Sequence, residues 1–146
     1  QAYVHLAQQQ VELTANRCDA LRRMTHEHER VRRGFGEIRF VSVRLADLAG
    51  LSVGDAVDVR VEVDLKSLTP RDVLVELVLG HTRGASDLRN AGVVQLQARS
   101  AGQASVYTFE GSHRIARSGA FAYGLRARAK ERSPLDLSLR DLVLWA

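Results

Sequence analysis

The run MTHEHER contains two histidines, His26 and His28, which could serve as metal ligands. A shared metal ion would need both side chains to point the same way. In a helix, residues two apart point about 200° away from each other, and useful ligand pairs are three or four apart. The run therefore indicates a solvated helical face, and no metal-binding residue is predicted in this chain.

The residue types also suggest nucleophilic catalysis. His113 lies close in sequence to Ser112 and Ser118, but a catalytic triad also needs a carboxylate that orients the histidine. No acidic residue can be assigned to that role. The glycines form neither of the spacings that hold a phosphate group between a strand and a helix. We therefore predict no catalytic residue, no cofactor-binding residue and no cofactor in this chain.

Acidic residues alternate along one segment, where Asp58, Glu62 and Asp64 share a parity. Carboxylates grouped in this way could hold calcium. Charged side chains on the outer face of a strand also keep a sheet from pairing with another chain. The second interpretation is favoured here.

Aromatic residues could form a platform for sugars, and the candidates are Trp145, Tyr107 and Tyr123. Tyr123, however, alternates with Phe121 and Leu125, which predicts that it faces the core. In immunoglobulin-like sandwiches, a tyrosine at this place bonds back to the preceding corner. Both patterns favour a structural role for Tyr123.

The clearest strand pattern lies between Ala104 and Lys130, which is predicted to form two strands joined by a turn with glycines. From Phe121 onward, apolar residues occupy one parity and mostly basic residues the other. Since successive side chains of a strand point to opposite faces, this pattern indicates an apolar inner row and a basic outer row.

The first part of the chain, from Tyr3 to Arg33, contains neither glycine nor proline and is predicted to be helical. A break near residues 14–16 is left open, and Gly34 and Gly36 are expected to end the helix. Its apolar stripe is narrow, so the helix needs a surface to lie on. The stripe consists of Val4, Ala7, Val11, Ala15, Cys18, Leu21, Met24 and Val31.

About seven short strands, without helical patterns between them, predict an antiparallel immunoglobulin-like β-sandwich. The segment 37–45 changes its apolar parity once, which predicts a bulge near Phe40 and Val41. Segment 73–79 is apolar apart from Glu76 and is predicted to be a central strand. Other strands are expected at 57–65, at 94–98 and at 135–139, and residues 142–145 close the chain. Residues predicted to face inward are Val57, Val59, Val61, Val63, Phe121, Tyr123 and Leu125. The predicted organisation is a helical segment at 1–33 and a β-sandwich domain at 34–146.

The composition of the chain limits the classes of function that it could have. The net charge is +4 with a pI of about 9.8, but the basic residues are spread along the chain, so nucleic-acid binding is not predicted. A lone cysteine, Cys18, rules out an intrachain disulfide and suggests a reducing compartment, here the cytoplasm. No apolar run approaches the length of a membrane span. The chain starts at Gln1 without methionine, and we expect it to be a piece of a longer protein.

The second half resembles the C-terminal tail of bacterial α-glucan phosphorylases, the enzymes of glycogen and maltodextrin breakdown. The resemblance is carried by LTPRDVLVELVLG, VYTFEG, SGAFAYGLRARA and the closing DLVLWA. It implies a β-sandwich that follows a glycosyltransferase body, in which pyridoxal phosphate and inorganic phosphate split α-1,4 glucans. The chain has two lysines, Lys66 and Lys130, and neither lies in a matching motif, so no catalytic residue is carried over.

What the resemblance implies for function is a non-catalytic accessory domain with a structural, packing or oligomerisation role. The expected partner is the catalytic body of the parent enzyme or a second copy bound through the N-terminal helix. A carbohydrate-binding module, with glucan as ligand, and a protein-interaction sandwich are the alternatives.

Overall fold

The computed structural model describes residues 2–45, 51–81, 92–102, 104–116, 121–131 and 139–146, without the side chains of 2–13, 81, 101 and 121. Within these ranges the chain forms one helix followed by eight strands. They are α1 (Ala2–Phe35), β1 (Arg39–Leu45), β2 (Ala56–Asp64), β3 (Val73–His81), β4 (Gly92–Gln95), β5 (Gln97–Ala101), β6 (Val106–Arg114), β7 (Phe121–Ala129) and β8 (Val143–Trp145).

The strands form two four-stranded sheets. The first sheet has the order β1-β2-β6-β5 and the second sheet has the order β4-β3-β7-β8. Every pairing between these strands is antiparallel. The two sheets share one apolar core. The predicted β-sandwich with a preceding helix is therefore confirmed, with eight described strands where about seven were expected.

The core is built from alternate residues of the central strands. In β2 the valines at 57, 59, 61 and 63 are buried, while the residues between them face outward or lie half-buried. Leu125 of β7 is buried as well, so these five inward predictions are confirmed. The side chain of Phe121 lies outside the described residues. A slip of one residue in β2 would expose all four valines, and this fixes its register.

A bulge interrupts the first sheet at its edge. The register of β1 against β2 shifts between Phe40 and Ser42, as the change of apolar parity predicted. The extra residue is Val41, which is 55% exposed. The bulge thus brings Val43 opposite Val61 and Leu45 opposite Val59. Leu45 packs against the core, whereas Val43 is 42% exposed.

The single strand predicted over 94–98 is wrong. The chain runs along the second sheet in β4, passes Leu96, and continues along the first sheet in β5. Leu96 is buried between the sheets, and its N–H donates to the carbonyl of Val75 at 2.8 Å. Alternation cannot distinguish one strand from two that share a buried residue at the crossing, because the parity is the same in both.

Both strands predicted between Ala104 and Lys130 are present as β6 and β7, but they lie in different sheets. β6 pairs with β2 and β5, whereas β7 pairs with β3 and β8. The predicted central strand, β3, lies between β4 and β7. The connection at 117–120, residues 82–91 and residues 132–138, which include most of the strand predicted at 135–139, lie outside the described residues.

The helix is one continuous element, so the break considered near residues 14–16 is wrong. It also continues through Gly34 and ends at Phe35, where the sequence predicted an earlier stop. Val31, Gly34 and Phe35 are buried against the sandwich. A side chain at Gly34 would meet Leu68, so the glycine permits close packing here and does not end the helix.

Candidate interaction surface

The residues examined for catalysis or metal binding are dispersed. His26 is exposed and His28 half-buried on α1, and His113 lies in β6 opposite Val57. Cys18 is an exposed thiol in the middle of α1. Among the residues that the structure describes, no three His, Cys, Asp or Glu side chains are grouped to hold a metal ion.

The acidic side chains of β2 each have a separate environment. Asp64 accepts hydrogen bonds from the Ser105 hydroxyl and from the backbone of Lys66, and these bonds lower the pKa of its carboxyl. Glu62 accepts a bond from Ser42. These carboxylates act as local hydrogen-bond acceptors on the outer face of the first sheet. β2 lies between β1 and β6, so the predicted protection of a sheet edge by these charges is wrong.

The three candidate aromatic residues do not share a surface. Tyr107 is half-buried in β6, opposite Val63 in the inner row of the first sheet. Tyr123 is 47% exposed, so its predicted place in the core is wrong. It continues the inner row of β7, but that row leaves the core between Leu125 and Tyr123. The corner at 117–120, to which its hydroxyl was expected to bond, lies outside the described residues.

Trp145 lies on the outer face of the second sheet. It pairs with Arg126, which alternates with the buried Leu125 and Ala127, and the indole is 52% exposed. The guanidinium carbon of Arg126 is 5.7 Å from the centre of the indole, within the range of a cation–π contact. We call the group formed by Trp145, Gly124, Arg126, Arg128 and Glu76 the Trp145 surface.

A buried carboxylate anchors the Trp145 surface. Glu76 of β3 is 4% exposed and accepts hydrogen bonds from Nε of Arg126 at 2.8 Å and from Nε of Arg128 at 3.0 Å. Burial by itself would raise the pKa of Glu76, but the hydrogen bonds from the two arginines lower the pKa below its usual value. The carboxylate is thus ionised, and it holds both arginines against the sheet.

A second ionic group joins the helix to the sandwich. Arg30 of α1 donates to both oxygens of Asp72, at 2.8 Å and 3.2 Å. Asp72 is 2% exposed and also accepts from the backbone N–H of Thr69. Its burial opposes ionisation, but the bonds from Arg30 and Thr69 lower the pKa of its carboxyl. We call Arg30, Asp72 and Thr69 the helix junction.

On the N-terminal side of the helix junction, most of the described side chains of α1 are exposed to solvent. From Thr14 to Arg30, its side chains are exposed except for the half-buried Met24 and His28. Leu21, a member of the predicted apolar stripe, is 56% exposed. Residues 14–30 of α1, which we call the helical arm, thus carry an apolar side chain that this chain does not bury.

Sequence reasoning missed both ionic groups. Glu76 interrupts an otherwise apolar run, and the basic outer row of β7 contains its partners, so a signal for this contact was present. Asp72 directly precedes the strand predicted at 73–79, and Arg30 was assigned to a solvated helical face. Their contact joins residues 42 positions apart, which no local spacing reveals.

The comparisons with known proteins give one family. A family model described as the glycogen phosphorylase C-terminal domain matches residues 36–146. The match begins one residue after α1 ends and covers all eight strands. The curated proteins include no match to this chain.

Proposed function

The chain belongs to the glycogen phosphorylase C-terminal domain family, and we propose on that basis that it serves as the non-catalytic accessory domain of an α-glucan phosphorylase-like enzyme. Its role would be to pack against the catalytic body or to hold an oligomer together. The proposed parent enzyme acts on α-1,4 glucans with pyridoxal phosphate, and the chemistry would reside in that body.

The observation that carries this proposal is the helical arm. In proteins, a helix draws most of its stability from the packing of its apolar face. The helix junction joins its C-terminal end to the sandwich, while Leu21 remains exposed. A helix with an uncovered apolar side chain is suited to lie against a further protein surface.

For the chain by itself, we propose that a second copy covers the arm. Two helices related by a two-fold axis would bury equivalent apolar stripes against each other. Pairing of this kind fits an oligomerisation role, and the catalytic body would occupy the same surface in the parent enzyme.

Multi-angle light scattering on the chain and on a Leu21→Glu variant tests this role. We expect a dimer for the unchanged chain and a monomer for the variant, since the new charge would enter the apolar contact. His26→Glu is the matched control, because it adds the same charge about 140° away around the helix, and it should leave the dimer intact. A monomeric unchanged chain whose α1 amides are fully protected from exchange would contradict the packing role.

The absence of catalysis is also part of the proposal. Neither Lys66 nor Lys130 lies in a motif that would bind pyridoxal phosphate. We expect the chain alone neither to form a Schiff base with this cofactor nor to release glucose 1-phosphate from glucan. A Schiff-base absorbance band that borohydride abolishes would contradict this expectation.

The proposal also includes the type of β-sandwich and the cellular location of the protein. The immunoglobulin-like type is supported by two antiparallel four-stranded sheets around one core. A cytoplasmic location is supported by the lone Cys18. Among the described residues, no helix combines the length and the apolar character needed to cross a bilayer.

A further inference from the structure

The indole of Trp145 rests directly on the backbone of the second sheet. A Cβ atom added to Gly124 would lie 3.0 Å from Cζ3 and 3.4 Å from Cε3 of the indole. Glycine weakens a strand, and inside a strand it often marks a place where another group approaches the backbone closely. Here its missing side chain lets the indole sit close to the sheet, with half of its surface exposed.

The guanidinium of Arg126 lies over one face of the indole, and a buried carboxylate holds it there. Its Nε bonds to the buried Glu76, and its guanidinium carbon is 5.7 Å from the indole centre. Arg128 bonds to the other oxygen of Glu76. Both arginine side chains are partly exposed, and a guanidinium has five N–H donors in a planar fork. The Trp145 surface therefore combines a half-exposed indole with hydrogen-bond donors whose placement a buried carboxylate determines.

We propose that Trp145 and Arg126 form a binding subsite for one glucose ring of an α-1,4-glucan chain. The C–H face of a pyranose ring is apolar and stacks on an aromatic face, while its hydroxyl groups accept hydrogen bonds at its edge. An uncharged ligand of this kind needs no compensating acidic group. The choice of glucan rests on the proposed function, since the parent enzyme would act on the same polymer.

Trp145 is the single tryptophan of the sequence, so intrinsic fluorescence reports on this position alone. The test is a titration of the full chain with maltoheptaose, with an equal mass of glycerol as the solvent control. We expect a saturable change in tryptophan emission at millimolar maltoheptaose and a linear, small change with glycerol. Absence of a saturable change would overturn the proposal.

Variants separate this subsite from any other sugar contact. Isothermal titration should show affinity at least about ten-fold weaker for Trp145→Ala, a factor equivalent to about 1.4 kcal/mol. Gly124→Ala should also weaken binding, because the added Cβ displaces the indole. Tyr123→Ala is the matched control, since Tyr123 is similarly exposed but lies in the inner row. It should bind as the unchanged chain does.

Two results would overturn the subsite. One is unchanged affinity in Trp145→Ala when circular dichroism shows it folded. Trp145→Phe, which keeps an aromatic ring in β8, provides the same comparison if the alanine variant does not fold. The other is self-association that needs Trp145 but is indifferent to maltoheptaose, which would make the surface a protein contact. Since the helical arm is tested by Leu21→Glu, failure of the subsite and failure of the packing role give different results.

Discussion

Arg30 in the helix and Asp72 in the sandwich form a two-point contact, in which two guanidinium nitrogens bind the two carboxylate oxygens at 2.8 Å and 3.2 Å. The carboxylate is 2% exposed, whereas the arginine is 41% exposed. The pair thus combines a buried anion with a cation that solvent reaches. Paired planar groups of this kind fix orientation as well as distance, and the contact therefore sets the direction in which α1 leaves the sandwich.

Replacing Arg30 with Gln should destabilise the fold by about 1–3 kcal/mol in the free energy of unfolding. The variant leaves Asp72 buried without its cation, but solvent screening of Arg30 keeps the loss below that of a fully buried pair. Urea denaturation measures the difference. Glu27→Gln is the control: it removes an exposed partner of the same arginine and should cost at most about 0.5 kcal/mol. Equal losses in both variants would contradict a special role for Asp72.

The stability of the chain should fall in acid. The pKa values of Asp72 and Glu76 are lowered in the folded chain from ordinary values of 3.8 and 4.5. The unfolded chain therefore binds more protons in this range, and stability rises with pH. The contribution of both groups is fully present above about pH 5 and is lost as the pH falls through and below their ordinary values. Urea midpoints measured from pH 6 to pH 3 should show this decline.

Glu76→Gln supplies the comparison for the acid experiment. The amide keeps the size of the side chain but does not titrate, so the decline in stability below about pH 5 should be shallower. Parallel curves for the variant and the unchanged chain would mean that Glu76 does not contribute to the acid sensitivity.

Val61→Asp should lower the free energy of unfolding by about 3 kcal/mol or more, because it buries a charge without a partner. Val61 is fully buried in β2. The same change at Val41, the exposed residue of the bulge, should cost about 0.5 kcal/mol or less. Thermal melting of both variants checks the inward assignment, and an unchanged midpoint for Val61→Asp would refute it.

Gly34→Ala should destabilise the chain, although alanine favours a helix by up to about 1 kcal/mol over glycine. The new Cβ would lie 2.6 Å from Cδ2 and 2.7 Å from Cγ of Leu68. Overpacking of this kind costs about 1–3 kcal/mol, which exceeds the gain in propensity. Gly36→Ala, where the nearest atom is 3.6 Å away, should be tolerated. Urea denaturation compares the two, and a more stable Gly34→Ala would show that α1 does not press on Leu68.

How much of this fold the sequence predicts depends on whether a feature is local. Alternation of apolar residues located β2 and β7, a nearly continuous apolar run located β3, and a single change of parity located the bulge in β1. The same alternation could not show that Leu96 lies between two sheets, because a buried residue at a crossing keeps the pattern of one strand. Nor could it show that the inner row of β7 leaves the core before Tyr123, since this depends on where the opposing sheet ends.

The candidate surfaces were less accessible to prediction than the strands. The sequence identified Trp145 as a possible sugar contact. The alternation around Tyr123, however, predicted that this tyrosine faces the core, which argued against a shared aromatic platform. The close approach of the Trp145 indole to Gly124 depends on the pairing of β7 with β8. The helix junction depends on a contact between residues that are distant in the sequence. These features arise from tertiary packing, which a single sequence encodes only indirectly.

The sheet order has a consequence for the speed of folding. The central pairs, β2 with β6 and β3 with β7, join residues about 50 positions apart, as Val61 with Phe109 and Leu77 with Leu125. Each pairing closes a long loop, and the chain loses entropy before the contacts that offset this loss have formed. Chains dominated by such distant contacts fold in milliseconds to seconds, slower than helical bundles. In the sequence, β3 lies between β2 and β6, and β6 lies between β3 and β7. The loop closed by each central pair therefore contains a strand of the other sheet, and the two sheets are expected to form together.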